Sequence, residues 1–170
     1  MNKIAVVVGH DKIEQGAYSN LLKHSEFGYH SEVVKHLPFD IYYRDSSVHG
    51  YKGKMQKLAN EINKKNYSLV VELHFNSFNG VANGCEALYF KGSEIGKRQA
   101  EIFVDAVVSN YATTKRGAKE ISKESDRGYW FLKLINAPAL ILEPFFADNK
   151  EAIAFKDAKR YADLLIKTLC

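Results

Sequence analysis

The sequence predicts an α/β fold: a single domain over residues 1–170, with a mostly parallel twisted sheet flanked by helices on both faces. Three observations carry this. The runs VVVGH up to His10, VVELHF around His74 and ALILEPFF around Glu143 are short and apolar. Such runs, without polar alternation, read as parallel strands buried on both faces. Amphipathic stretches of helical period alternate with them, the pattern of right-handed β–α–β crossovers. A chain of 170 residues also buries roughly 70% of its unfolded surface, enough for one core without staples.

Taken in order, residues 3–9 form a first strand and 10–25 a polar, turn-rich loop. Ser25 is an N-cap for a helix to about residue 37. In it Phe27, His30, Val34 and Leu37 recur at helical spacing, and Pro38 stops it. A second strand over 39–44 and a loop over 45–53 precede an amphipathic helix over 54–65, with Met55, Leu58, Ala59 and Ile62 on one face. A third strand over 67–75 runs into a loop over 76–83 rich in Asn, Ser and Gly. Residues 85–90 make a short strand expected at a sheet edge. Residues 93–110 make a long helix, with Ile95, Ala100, Ile102, Phe103, Ala106 and Val107 apolar. Residues 112–127 are charged and read as irregular, while 129–134 fit either a strand or a short helix. Residues 138–143 are the last strand, and Asp148 opens a C-terminal helix through residue 169.

Composition narrows the function classes. With 24 basic and 20 acidic residues the net charge is +4, a mild bias that suits a polyanionic partner without demanding one. No dense basic run with interleaved aromatics is present, so nucleic acid is not an expected partner. Cys85 and Cys170 are neither a disulfide framework nor a thiolate zinc motif. No apolar run approaches the ~20 residues of a membrane span. The start, MNKIAVVVGH, lacks the core and cleavage site of a signal peptide. The expectation is a chain beginning at Met1, made in the cytoplasm, monomeric, and without a membrane partner. Walker, GxSxG, GxGxxG and HExxH motifs are all missing, which removes the simplest nucleotide, serine-hydrolase and zincin readings.

What remains is a set of polar residues at strand ends. In open α/β sheets, sites assemble outside the carboxyl ends of the strands. His10 follows an apolar strand and Gly9, a small residue that lets the backbone turn sharply. His74 lies near the end of another strand. Taken singly, each reads as an ordinary junction or core histidine; two at strand ends suggest metal ligands. A catalytic zinc takes three protein ligands and leaves a position open. Glu26 is the best third candidate, because the first turn of a helix favours its ionised form. His30 and Glu32 compete with it, His30 fitting a core position better. Glu143 ends a strand in which Ala139 to Leu142 are all apolar. Desolvation there raises its pKa, which suits proton transfer, unless it is neutralised by an arginine. Glu72 shares a face with His74 and either orients that ligand or pairs structurally, the second being the favoured reading. Glu86 lies near the site without an assigned role, and His24, His36 and His49 read as surface residues.

These pieces, in this order, resemble the zinc-dependent N-acetylmuramoyl-L-alanine amidases of the Amidase_3 type. VVVGHDKIEQGA (Val6 to Ala17) is similar to that family's opening strand. Glu26 stands where the family opens a helix with a zinc-binding glutamate. YYRD, LHFNSF, GCEALYF, Arg116-Gly117 and PALILEPFFADN resemble its later segments. The resemblance implies Zn2+ on His10, Glu26 and His74, and Glu143 as catalytic glutamate. The implied reaction cleaves the amide between N-acetylmuramic acid and L-alanine in peptidoglycan. Acting on the cell wall after release, as phage or prophage lysins do, is part of that expectation. The loops over 76–83 and 112–127 are expected to frame the groove. Asp11 and Lys12 replace the family's glycines after GH, and Pro144 and Phe145 depart from its pattern, changes expected to reshape the rim. A zinc carboxypeptidase-like peptidase and a metal-free wall-binding module are the rival readings.

Overall fold

The computed structural model describes residues 3–170; Met1 and Asn2, where the expected start falls, lie outside the described residues. The sheet strands are β1 (Ile4–Val8), β4 (Asp40–Tyr43), β5 (Leu69–Leu73), β6 (Cys85–Phe90), β7 (Lys115–Ile121) and β8 (Ala139–Glu143). Two-residue strands β2 (Tyr18–Ser19) and β3 (His24–Ser25) pair antiparallel inside the first long loop. The helices are α1 (Glu26–Val33), α2 (Tyr51–Ile62), α3 (Glu94–Tyr111), α4 (Tyr129–Leu134) and α5 (Ala158–Leu169).

The six-stranded sheet runs in the order β4-β1-β5-β8-β6-β7. Strands β4, β1, β5 and β8 are mutually parallel, and every residue of β1, β5 and β8 is buried. That burial explains their unbroken apolar pattern. Residues Ile4, Val6 and Val8 face a core shared with Tyr29, Val33, Phe103 and Leu165, so α1, α3 and α5 cover one face. Ala5 and Val7 face Met55, Ile62, Phe131 and Leu132, so α2 and α4 cover the other. The predicted fold class, with helices on both faces, is the one observed.

Several element-level expectations change. Strand β6 is not at the edge: it sits between β8, to which it is antiparallel, and β7, to which it is parallel. The edge on this side is β7, in the segment read as irregular. Its sequence KRGAKEI is mostly exposed and charged, which protects an edge from further pairing but erases the hydrophobic signal. Residues 129–134 resolve as helix. The C-terminal helix does not begin at Asp148. A 3-10 turn spans Lys150–Phe155, and Asp157 then caps α5 by accepting from the Arg160 N–H at 3.0 Å. In α3 the buried face is Ala100, Phe103, Val104 and Val107, with Ile95 and Ile102 outside.

Candidate metal centre and active site

His10, Glu26 and His74 meet at the carboxyl edge of the parallel strands. His10 follows the end of β1 and holds a left-handed backbone, φ 65°, a conformation rare outside glycine that concentrates at functional sites. Glu26 opens α1, whose N-cap is Ser25 as expected: the Ser25 hydroxyl accepts from the Gly28 N–H at 3.1 Å. His74 follows the last residue of β5, its N–H donating to the Leu142 carbonyl.

The carboxylate of Glu26 joins the two imidazoles. His10 Nε2 lies 3.1 Å from Glu26 Oε2, and His74 Nδ1 lies 2.7 Å from Glu26 Oε1. The Phe75 backbone N–H also donates to Glu26 Oε1, at 3.1 Å. One ligand-type atom from each residue lies within 4.8 Å of the others. Burial opposes ionisation of Glu26, but the bonds to His10 and His74 outweigh it and hold the carboxyl well below its usual range. Burial likewise disfavours charge on His74, yet Glu26 and Glu72 lift it to about 9. A nitrogen–oxygen–nitrogen set with an ionised carboxylate at its centre fits a His2Glu metal site with an open position.

The far side of His74 is also fixed. Its Nε2 lies 3.2 Å from Glu72 Oε2 and 3.2 Å from Arg44 Nη2. Arg44 in turn holds Glu72 Oε1 through Nε at 2.9 Å and Nη2 at 2.7 Å. So Glu72 makes both contacts weighed for it: it pairs with Arg44 and it touches the histidine. The carboxylate–histidine contact opposite a ligand nitrogen is the arrangement that orients metal-binding imidazoles.

Two glycines make room for the cluster. A Cβ on Gly9 would lie 2.3 Å from the Leu73 carbonyl oxygen and 2.7 Å from the His74 ring; on Gly16 it would lie 2.7 Å from the His10 ring. This corrects the reason given to Gly9: the positive φ belongs to His10, and Gly9 is needed for close approach.

Glu143, the last residue of β8, lines the same cleft of about 470 Å³ as the three ligand candidates. Its carboxylate Oε2 accepts from Asn76 Nδ2 at 2.8 Å and pairs with Arg127 Nη2 at 2.7 Å. Burial lifts the Glu143 carboxyl to about 7 against the opposing charges of Arg127 and His74, with help from the adjacent Glu86. Glu86 is buried too, but Arg116, Arg127 and a proton from Glu143 hold it low, at about 2. The two carboxyls thus titrate apart: near neutral pH Glu86 is ionised while Glu143 is close to its midpoint.

The other sequence expectations sort themselves. His30 is fully buried in the core, neither ring nitrogen having a hydrogen-bond partner among the described residues, and burial pushes it down to about 3. Glu32 pairs at the surface with Lys35. His24, His36 and His49 are exposed. Asp11 and Phe145 do not reshape the rim. Asp11 is buried, accepting from the Ile13 and Glu14 N–H groups and pairing with Lys54. Phe145 stacks in the core on Phe155 at 4.4 Å. Sequence reasoning missed Arg44, Asn76 and Arg127 as site residues. The YYRD and LHFNSF segments hold the first two, whereas nothing marked Arg127 within its charged run.

Fold and site together define an α/β enzyme domain with its chemistry at the carboxyl edge of the sheet. The chain belongs to the N-acetylmuramoyl-L-alanine amidase family, Amidase_3, whose sequence model matches residues 4–169. It is accordingly a hydrolase of peptidoglycan amide bonds. Solved structures show the same fold. The catalytic domain of the CD27L endolysin targeting Clostridia difficile is 24% identical, with a TM-score of 0.79 over 99% of this chain and 97% of that one. The CwlD amidase from Clostridioides difficile, solved with the GerS lipoprotein, is 18% identical, with a TM-score of 0.73 over 99% and 98%. The catalytic domain of CwlV from Bacillus (Paenibacillus) polymyxa var. colistinus is 19% identical, with a TM-score of 0.66 over 98% of each chain. No curated protein sequence matches the chain. No helix among the described residues is long and apolar enough to cross a membrane.

Proposed function

We propose that this domain cleaves the amide between the lactyl group of N-acetylmuramic acid and L-alanine, with Zn2+ held by His10, Glu26 and His74 and with Glu143 moving the proton. One observation carries the reading: Glu143, lifted to about 7, lines the same cleft as the His10–Glu26–His74 cluster. Zinc, when bound there, supplies Lewis acidity toward the scissile carbonyl and makes water acidic enough to ionise near neutral pH. His10 Nε2, Glu26 and His74 Nδ1 are the atoms that would hold it. Glu72 and Arg44 keep the His74 ring from turning. Glu143 in its ionised form accepts the proton of the attacking water and returns it to the departing alanine nitrogen. A pKa near the working pH is what both transfers require.

Asn76 and Arg127 both hold Glu143 Oε2 and so fix the orientation of its carboxyl. All these groups come from one chain, which supports action as a monomer. The family's substrate and the match to an endolysin fold support action on the wall after release, as in phage lysis.

The test combines metal analysis with product analysis. Glu143→Gln is expected to bind zinc as tightly as wild type while kcat falls by about 10²–10⁴-fold. His74→Ala is expected to lose the zinc. Mass spectrometry of muropeptides should find new L-alanine amino termini on intact glycan. Near-normal turnover in Glu143→Gln, or new termini elsewhere in the peptide, would overturn the reading.

A further inference from the structure

The cleft holding the metal centre continues past Glu143 into a second cleft of about 430 Å³, and the two share Asn76, Ser77 and Arg127. The second cleft is lined by two guanidinium groups, Arg116 and Arg127, beside the apolar Phe78 and Phe146. Arg116 is fixed at three points. Its Nε donates to Glu86 Oε2 at 2.8 Å, its guanidinium lies over the Phe146 ring at 5.0 Å, and its stem fills the space left by Gly84, where a Cβ would approach Arg116 Cγ at 2.8 Å. Among the described residues neither Nη group of Arg116 has a hydrogen-bond partner. The Arg116 side chain is 39% exposed and that of Arg127 50%, while Glu86 beneath them is 3% exposed. A guanidinium anchored from below by a buried carboxylate, with its fork left free, is prepared to bind a planar anion.

We propose that Arg116, assisted by Arg127, is a binding subsite for the first free carboxylate of the stem peptide beyond L-alanine. The proposal rests on the amidase reading above, and the substrate's chemistry gives its direction. The glycan side of the scissile bond carries no carboxylate, since the lactyl carboxyl is itself the amide being cut. Charge therefore lies on the peptide side. Glu143 hands its proton to the alanine nitrogen, so the peptide leaves past Glu143, toward Glu86 and Arg116. The reach agrees. Strand β7 stands two strand spacings from β8, about 10 Å. Two extended residues span about 7 Å, and the Arg116 fork covers the rest.

The test titrates the zinc-loaded protein calorimetrically with the free stem tripeptide, its second residue carrying either a free α-carboxyl or the amide. Both forms are also compared as muramoyl substrates. The expected preference for the acid is about tenfold in Kd and in kcat/KM, the low end for a charged hydrogen-bonded pair because both arginines are partly solvent-screened. Arg116→Gln should bring that ratio near one. Arg116→Lys, which keeps the charge over Glu86 and so the fold, should leave an intermediate ratio. Equal binding of acid and amide by wild type, or a ratio unchanged in folded Arg116→Gln, would overturn the subsite. Tighter binding of glycerol phosphate than of the acid peptide would also overturn it, assigning the arginines to a wall phosphate. An acid preference in peptide binding without cleavage of either muramoyl substrate would instead overturn the amidase reading and keep the subsite.

Discussion

Gly9→Ala removes nothing from the site and adds one methyl group, which makes it a stringent test of the metal-centre geometry. The new Cβ would lie 2.3 Å from the Leu73 carbonyl oxygen and 2.7 Å from Cε1 and Nε2 of His74. Strand β5 is buried and hydrogen-bonded on both sides, and the Gly9 N–H itself donates to Leu73 at 3.0 Å. The backbone has nowhere to go, so the imidazole must tilt. Overpacking of this kind destabilises by about 1–3 kcal/mol, and each kcal/mol lowers Tm by about 2–4 °C in a chain of this size. Tilting the ring moves Nδ1 away from Glu26 and Nε2 away from Glu72, so zinc affinity should fall by about 10–100-fold, as when an orienting partner is lost. The assay is thermal unfolding of the metal-free protein together with zinc titration against a competing chelator. Gly92→Ala is the control: Gly92 has φ 78° with nothing near its missing Cβ. It should show left-handed strain of about 1–2 kcal/mol and unchanged zinc affinity. A Gly9→Ala protein that binds zinc within about twofold of wild type would refute the claim that close approach, and not backbone freedom, fixes this residue.

Two further predictions follow from the buried charges. Burial lifts the Glu143 carboxyl to about 7, above its ordinary value of 4.5, so the folded state holds the extra proton and ionised Glu143 destabilises it. Metal-free Glu143→Gln should therefore unfold at a higher temperature than wild type above pH 7. That gap should narrow as pH falls from 7 to 4.5, and a pH-independent gap in calorimetric scans would contradict it. The Arg44–Glu72 pair is buried, with side chains 8% and 0% exposed. Glu72→Ala should cost about 3–5 kcal/mol by stranding Arg44 and should weaken zinc binding. Denaturant unfolding of the Arg44→Met, Glu72→Ala double variant should recover much of that stability without recovering the zinc affinity; full recovery of both would remove Glu72 from the site.

How much of this was legible in the sequence depends on what each residue needed from its surroundings. Strands β1, β5 and β8 were visible because parallel strands covered on both faces must be apolar throughout, and their last residues then mark the active edge. Helix α1 announced itself through Ser25, bringing Glu26 with it, although it ends at Val33 and buries Tyr29 and Val33, which the expected spacing had not picked out. The paired roles of Glu86 and Arg127 were not visible. Glu86 reads as one more charge in a short strand, and Arg127 as one more in a polar run. Their meaning arises only when β6 pairs with β8 and Arg127 folds back over both carboxyls. Strand β7 was hidden for the opposite reason: an edge strand defended by charge has no hydrophobic period to read.

The reversal of β6 and β7 accounts for the division of labour in the site. In a wholly parallel sheet every side chain at the active edge comes from a strand's carboxyl end, as His10, His74 and Glu143 do. Because β6 runs antiparallel to β8, Glu86 at its amino end stands opposite Glu143. Because β7 is parallel to β6, Arg116 enters the same edge beside Gly117, the partner of Glu86. A parallel β6 would have presented Phe90 there instead. On the proposed reading, the parallel half of the edge supplies the metal ligands and the proton carrier, while the reversed half supplies fixed charge. That charge has two consequences. Together with burial, the ionised Glu86 raises the neighbouring Glu143 toward neutrality, and it anchors Arg116 through Nε. If both proposals hold, one buried carboxylate connects the acid–base chemistry to peptide recognition. Substitutions at Arg116 should for that reason alter the pH profile as well as the preference for a free carboxylate.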